Sequence, residues 1–397
     1  MRGGLLGRVA CVLPLLYPLA PVQAQSLQLG NDVSLALTGI ISASLYMSGA
    51  RFGLGEGQQA NFVAAELEDG FHGADVRSTR LTARLSGPQF SGNWRANAVV
   101  EGDLFGGFNG AGAFGDEQPT PRVRLAYAEV TNGRTTFRVG QDWSLTTGNI
   151  PISLSHIGFV LGWGSGGFIG WRFPGIFFDQ ALTASDATTK ATLRLGVLRN
   201  SWVDEATADQ PSAGEAGTPQ LEARLNIEGR LDPGSWGAYV VAHWDEKDLN
   251  NVTPSGTPEP PENNLSSTAF EAGARIQTGA VTIHGNAYTG KAMGHHFAHV
   301  VQFGDISGWG AWAQAGLDLT SRWSIWLYYG VDNPDDEDVT GTNERQSSAL
   351  LVPMIRFKVG PYSTGLEWMH SWVDYRSGGG TEERTGSLFL YSVRFDF

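Results

Sequence analysis

The chain has 397 residues, with 53 glycines, 13 Trp, 10 Tyr and 20 Phe, only 17% charged side chains, and 40 acids against 27 bases. Glycine at about one residue in eight, well above the usual ~7% and without a collagen period, favours turn-rich β structure. A formal net charge of -13 argues against a nucleic-acid binder, whose surface would be basic.

The first segment reads as an export signal, residues 1–24. Arg2 and Arg8 precede an apolar stretch over 9–20, followed by Val22-Gln23-Ala24, a small-x-small cleavage pattern that predicts a mature chain over 25–397. Pro14, Pro18 and Pro21 weigh against a retained membrane helix. Cys11, the only cysteine, lies inside this leader with Arg8 three positions before it, which does not fit a lipoprotein attachment site. The mature chain therefore has no thiol for disulfides, thiolate metal sites or a cysteine nucleophile.

Beyond the leader no apolar run approaches the ~20 residues of a membrane helix. Period-two alternation recurs instead, in segments at 33–47, 76–86, 92–105, 122–130, 134–142, 168–184, 191–203, 220–228, 236–245, 267–278, 281–291, 308–319, 323–332, 346–359, 362–374 and 385–397. The connections alternate short (131–133, 279–280, 360–361) with long (48–75, 106–121, 143–167, 204–219, 246–266, 292–307, 333–345, 375–384). An even strand count, short turns on one side and long loops on the other predict an all-β transmembrane antiparallel barrel of sixteen strands. A soluble sandwich is the competing reading of many short strands. Only about eight residues separate Ala24 from Val33, too few for a plug domain.

The early strands concentrate basic residues. By parity Arg80, Arg84, Arg95, Arg122, Arg124, Arg134 and Arg138 face the lumen, and Arg80 and Arg84 stand ~13 Å apart at ~3.3 Å per residue. Glu101, Asp103 and Asp142 are candidate pore-lining acids that would offset this ladder. At 132–133 the expected three-residue loop, with Gly133 left-handed, aligns Arg124 with Gly140 and leaves Val123, Leu125, Phe137 and Val139 towards lipid. Glu129 then falls on the lipid-facing parity. The third long loop, 143–167, is the candidate constriction, and no Asp or Glu occurs anywhere over 143–170.

Later strands repeat the two-faced pattern. In 220–228, Leu221, Ala223, Leu225 and Ile227 alternate with Glu222, Arg224, Asn226 and Glu228. Gly279 begins a two-residue turn that places Gln277 opposite Thr282. Trp94, Trp236, Trp244, Trp309 and Trp323 near strand ends suit an interfacial girdle, whereas Tyr239, Trp312, Trp326 and Tyr328 fall on the lumen parity, to stack on a solute or pack against a folded loop. Most acids lie on expected outer loops, among them Glu56, Glu66, Glu68, Asp69, Asp204, Glu205, Glu215, Glu259, Glu262, Glu382 and Glu383. The run 335–338 could bridge lipopolysaccharide phosphates through a divalent cation, but solvated loop charge is the simpler reading. His295, His296 and His299 read as a solvated cluster without an acidic ligand at usable spacing, so no metal is expected. Gly162, Gly164 and Gly167 satisfy G-x-G-x-x-G without a strand-to-helix context, so no cofactor is implied.

The last strand is the most specific feature. Phe389, Tyr391, Val393, Phe395 and Phe397 alternate with Leu390, Ser392, Arg394 and Asp396, and the sequence given stops on Phe397. This resembles the terminal strand of outer-membrane barrels, which implies Phe389, Tyr391, Phe395 and Phe397 as a signal read by the barrel-assembly machinery. The stretch from Arg124 to Glu129, followed by Arg138 to Ser144 with Gly140-Gln141-Asp142-Trp143, resembles a hairpin of the trimeric Gram-negative porins. It is most similar to the anion-preferring branch that includes dicarboxylate-type (DcaP-like) porins. The resemblance implies Arg124 in a constriction, an inward-folded loop after Trp143, a homotrimer in outer-membrane lipid and lipopolysaccharide, and passive diffusion of small hydrophilic solutes. No N-terminal coiled-coil segment of the kind some of those porins carry is seen. No catalytic residue is assigned; the alternative function, a barrel hydrolase acting on lipid or peptide, would draw on Ser153, Ser155 and His156 in the third loop.

Overall fold

The computed structural model describes residues 26–30, 32–107, 119–200, 218–248 and 264–397. The expected leader and Asp204, Glu205, Glu215, Glu259 and Glu262 lie outside the described residues. Among the described residues eighteen strands run in chain order: β1 (Ser26–Gly30), β2 (Val33–Phe52), β3 (Val63–Asp75), β4 (Arg80–Phe90), β5 (Trp94–Asp103), β6 (Arg122–Thr131), β7 (Thr135–Trp143), β8 (Arg172–Ala181), β9 (Thr189–Leu198), β10 (Gln220–Leu231), β11 (Gly234–Asp248), β12 (Asn264–Thr278), β13 (Val281–Lys291), β14 (Ser307–Asp318), β15 (Trp323–Pro334), β16 (Arg345–Val359), β17 (Tyr362–Ser377) and β18 (Gly380–Asp396). β2 and β4 through β18 form one closed antiparallel barrel of sixteen strands, each matching one of the alternating segments. Closure leaves no sheet edge, so every strand's peptide groups find partners even where lipid offers none.

Alternation decides which face is which. Leu37, Ile41, Leu45 and Met47 on β2 are each more than half exposed on the outside, while Ser42, Ser44 and Ser48 between them are buried inside. The seam pairs β18 with β2, setting Phe395 opposite Ile41, Tyr391 opposite Leu45 and Phe389 opposite Met47. At its end the Gly39 N–H donates to the Phe397 carbonyl at 2.8 Å and the Phe397 N–H returns to the Gly39 carbonyl at 3.0 Å. Gly39 is required by close approach: a Cβ there would lie 2.6 Å from both the Arg80 carbonyl and the Phe397 ring.

Two strands lie outside the expected sixteen. β1 folds back on the start of β2, with Leu27 opposite Leu35. β3 forms within the first long connection and pairs with the upper half of β2, whose lower half pairs with β4. The connection expected at 375–384 is instead a continued hairpin, closing at Ser377 opposite Gly380. Asp374 faces Glu383 and Tyr375 faces Glu382 across it, and the Arg384 guanidinium covers the Tyr375 ring at 4.1 Å. The Arg384 contacts with the Tyr375 ring and the Glu382 carboxylate support this polar pairing, whereas Asp374 opposite Glu383 is a like-charge pair that opposes it.

The Gly279 turn has the expected register, Gln277 opposite Thr282. The β6–β7 hairpin does not: Gly140 pairs with Tyr127 and Arg138 with Glu129. Asn132 Oδ1 accepts the N–H groups of Arg134 at 2.9 Å and Thr135 at 2.8 Å, an Asx-type closure that lengthens the turn. On the other side of β6, Glu101 pairs with Leu125 but Gly102 pairs with Val123. Arg124 is therefore the extra residue of a bulge, which reverses the parity of the strand from Leu125 onward. Leu125 is buried rather than lipid-facing, and Glu129 turns inward to meet Arg138 at 2.8 Å.

Replacing Phe395 and Phe397 with Ser removes the aromatic side chains that cover Ile41 and Gly39. Outer-membrane fractions should then contain several-fold less heat-modifiable barrel, with synthesis and export unchanged. Wild-type amounts of folded barrel in those fractions would refute the role given to this strand.

Candidate functional site

The chain leaves β7 at Trp143 and runs through residues 144–171 inside the barrel before β8 begins. This inward loop carries no Asp, Glu, Lys or Arg. Its peptide groups must nevertheless be hydrogen-bonded, and charged or amide wall side chains meet many of them. Glu367 accepts the Ser155 N–H at 2.8 Å, the Leu154 N–H at 3.3 Å and the Ser153 hydroxyl at 2.6 Å. Glu222 accepts the Leu145 N–H at 2.5 Å, and Gln314 accepts the Ile152 N–H and donates to its carbonyl, both at 2.7 Å. On the carbonyl side, Arg80 donates to Ile157 at 2.6 Å, Arg124 to Gly158 at 2.7 Å and Arg224 to Thr147 at 2.8 Å.

The second half of the loop is apolar. Phe159, Leu161, Trp163 and Phe168 are buried in one cluster with Trp312, Tyr328 and Leu350 of the wall, and the Tyr328 hydroxyl donates to the Gly166 carbonyl at 2.6 Å. Tyr239 donates to Glu271 at 2.5 Å and accepts from the loop's Asn149 N–H at 3.3 Å. Trp326 packs with Leu154. The inward aromatics thus hold the loop.

The arginine ladder is present but partnered. Arg124 is buried, not water-facing; it donates to Glu101 at 2.8 Å and Asp103 at 2.7 Å. Arg122 meets Asp103 at 2.8 Å, and Arg80 lies 3.7 Å from Glu101. Arg138 joins Glu129 and Asp142. Arg84 is exposed on the inner face of β4, Arg95 is exposed near the turn side, and Arg134 sits in the β6–β7 turn rather than on the wall. Arg172, which parity alone did not single out, is buried over Trp171 at 4.2 Å and Trp143 at 5.0 Å. It adds a fourth guanidinium to Arg80, Arg122 and Arg124, against the two carboxylates of Glu101 and Asp103.

On the turn side of the loop, below Asn149, the lumen widens into a cavity of about 720 Å³. Its charged lining is Lys190, Arg194, Arg224, Arg230 and Arg275 against Asp179, Asp186 and Glu228, five bases to three acids. Apart from Asp186, which lies in the β8–β9 turn, these residues carry the inward parity of their strands. The groups that clamp the loop share that signal, but a bond to backbone leaves no side-chain signature on the loop itself.

The histidines of residues 292–306 depart most from expectation. His295, His296 and His299 are buried inside, not solvated. Burial pushes the His295 and His299 imidazoles down to about 3 and that of His296 well below its ordinary value. In the inward loop, the Ser155 hydroxyl lies 2.8 Å from His156 Nδ1, whose Nε2 meets the Ala60 carbonyl at 2.9 Å. Ser155 is 0% and His156 3% exposed, so this pair offers no surface to a substrate.

No protein-family model and no curated protein sequence matches the chain. Solved structures do. The outer membrane channel DcaP of Acinetobacter baumannii aligns over 92% of this chain and 98% of its own, at 15% identity and a TM-score of 0.68. An anion-selective porin from Comamonas acidovorans aligns over 92% and 100% at 12% identity and 0.55. The trimer form of OmpT, an outer membrane protein of Vibrio cholerae, aligns over 92% and 100% at 12% identity and 0.54. The fold is that of the sixteen-stranded outer-membrane porins, as the resemblance of the 124–144 hairpin and the last strand implied.

Glu367 is the acceptor for three loop donors, and a hydrogen bond to a charged group contributes about 1.5–3 kcal/mol. Glu367→Ala should release the first half of the loop while the barrel still closes. Single-channel recordings should then show frequent fluctuations between conductance levels that the wild type lacks; steady wild-type conductance would exclude Glu367 as an anchor.

Proposed function

We propose that this protein is an outer-membrane porin, a water-containing channel for passive diffusion of small hydrophilic solutes with a weak to moderate preference for anions. The observation that carries this reading is the lumen: a closed barrel narrowed by an uncharged loop, above a cavity lined by five bases and three acids. Sixteen strands enclose space for an aqueous passage. A belt of outward Leu, Ile, Val and Phe supports placement in lipid, with the turns on the periplasmic side. In the cavity below the loop the surplus positive charge is less screened than the exposed acids of β3, which lie on the loop side. Small dicarboxylates or phosphate-like solutes fit such a field. The buried Ser155–His156 pair gives a hydrolase reading no support.

The outward faces of β13 through β18 and β2 share an apolar concavity of about 1100 Å³, including Leu45, Ile283, Leu327, Ile355, Leu366 and Tyr391. A homotrimer would have an apolar face of this kind available for packing, beside the strand through which assembly is proposed to begin.

Planar-bilayer recording tests the reading. The wild type should conduct ohmically, close in three equal steps at high voltage, and give a zero-current potential of anion sign across a salt gradient. Arg84→Ser with Arg275→Ser, both exposed in the lumen, should move that potential towards cations. A cation-selective wild type would show that Glu101, Asp103 and Asp142 dominate and would overturn the anion preference.

A further inference from the structure

β11 presents His243, Asp245 and Lys247 on consecutive inward positions near its loop-side end, and residues 292–306 dip into the barrel to bring a short 3-10 turn, Gly294–His296, against them. One nitrogen each of His243, His295 and His296 lie within 4.8 Å of one another. Asp245 Oδ2 stands 3.0 Å from His243 Nε2 and 3.6 Å from His295 Nε2. Ligand atoms around a tetrahedral Zn²⁺ with ~2.0 Å bonds are about 3.3 Å apart, so these separations bracket what such an ion needs.

Two further features point to a ligand. His295 is 7% exposed, and neither of its ring nitrogens has a hydrogen-bond partner among the described residues, a costly arrangement unless something else satisfies it. His243 is oriented from behind, its Nδ1 lying 3.0 Å from Glu222 Oε1, the carboxylate–imidazole contact that aims the opposite nitrogen at a metal. His296 bonds to Thr146 and Gln220, both at 3.0 Å, and would exchange one of these contacts for the ion. Lys247 holds Asp245 Oδ1 and donates to the Ser267 hydroxyl at 2.8 Å. Lys247 is thus held on one carboxylate oxygen while the other, Oδ2, faces the His243 and His295 imidazoles.

We propose that His243, Asp245 and His295, completed by His296, bind a divalent transition metal of the Zn²⁺ class. The imidazole-rich donor set selects against Ca²⁺ and Mg²⁺, which take oxygen ligands. Glu222 connects the site to the constriction, because its other oxygen accepts the Leu145 N–H. The ion would join β11, the 292–306 loop and the start of the inward loop. This inference does not depend on the channel's selectivity.

The test uses the full chain without a histidine tag, purified in detergent, stripped with a chelator and titrated with Co²⁺. The wild type should bind one Co²⁺ per chain with the intense visible bands of tetrahedral coordination, displaced by Zn²⁺ but not by Ca²⁺ or Mg²⁺. His295→Ala should weaken binding at least tenfold, and His72→Ala, on exposed β3, should leave it unchanged. Heat-modifiable migration reports folding, and His295→Gln serves if the alanine variant does not fold. Absence of stoichiometric Co²⁺ binding by the wild type, or wild-type affinity in a folded His295 variant, would overturn the proposal.

Discussion

Every peptide group enclosed by the barrel needs a hydrogen-bond partner, and that requirement organises the interior. The strands meet it by closing the sheet, down to the Gly39–Phe397 pair at the seam. The inward loop cannot, because it forms no ladder and has no ionisable acid or strong base of its own. Wall residues supply the partners, with Glu222, Gln314 and Glu367 receiving N–H groups while Arg80, Arg124 and Arg224 reach carbonyls. Charge-assisted bonds of this kind are stronger than neutral ones, and removing one partner leaves an enclosed charge uncompensated. The loop is thereby fixed across the passage from several sides.

That clamp changes what the arginines mean. Arg124 belongs to a buried network with Glu101 and Asp103 rather than to an unpaired basic ladder. Arg80, Arg122 and Arg172 share that network's surroundings, and the cavity beneath adds its own surplus of bases. The chain's net charge of -13 has little bearing there, since acids such as Glu66, Glu68 and Asp69 are exposed on β3 at the loop side.

Period two was enough to read the barrel from sequence, because one wrong register would turn a whole strand's apolar side chains inward. All sixteen strands and the Gln277–Thr282 register were legible for that reason. A single inserted residue escapes such a reading: the bulge at Arg124 preserves composition while reversing parity, which is why Glu129 was expected on the lipid side. The extension of the β17–β18 hairpin through 375–384 was missed because, apart from Tyr375, that stretch holds only glycine and polar residues. His295 and His296 were read as solvated because Asp245 and His243, some fifty positions earlier, become neighbours only when residues 292–306 fold inward. The loop's anchors were legible as inward side chains but not as anchors.

Hydrogen–deuterium exchange of the detergent-solubilised wild type, followed in peptides covering residues 144–158, tests the clamp most directly. The amides of Leu145, Ile152, Leu154 and Ser155 should exchange as slowly as those of β12, although they lie in no sheet. Exchange at the rate of the outer connection 335–344 would show that the loop is not held by the wall, and the account of the lumen would fail with it.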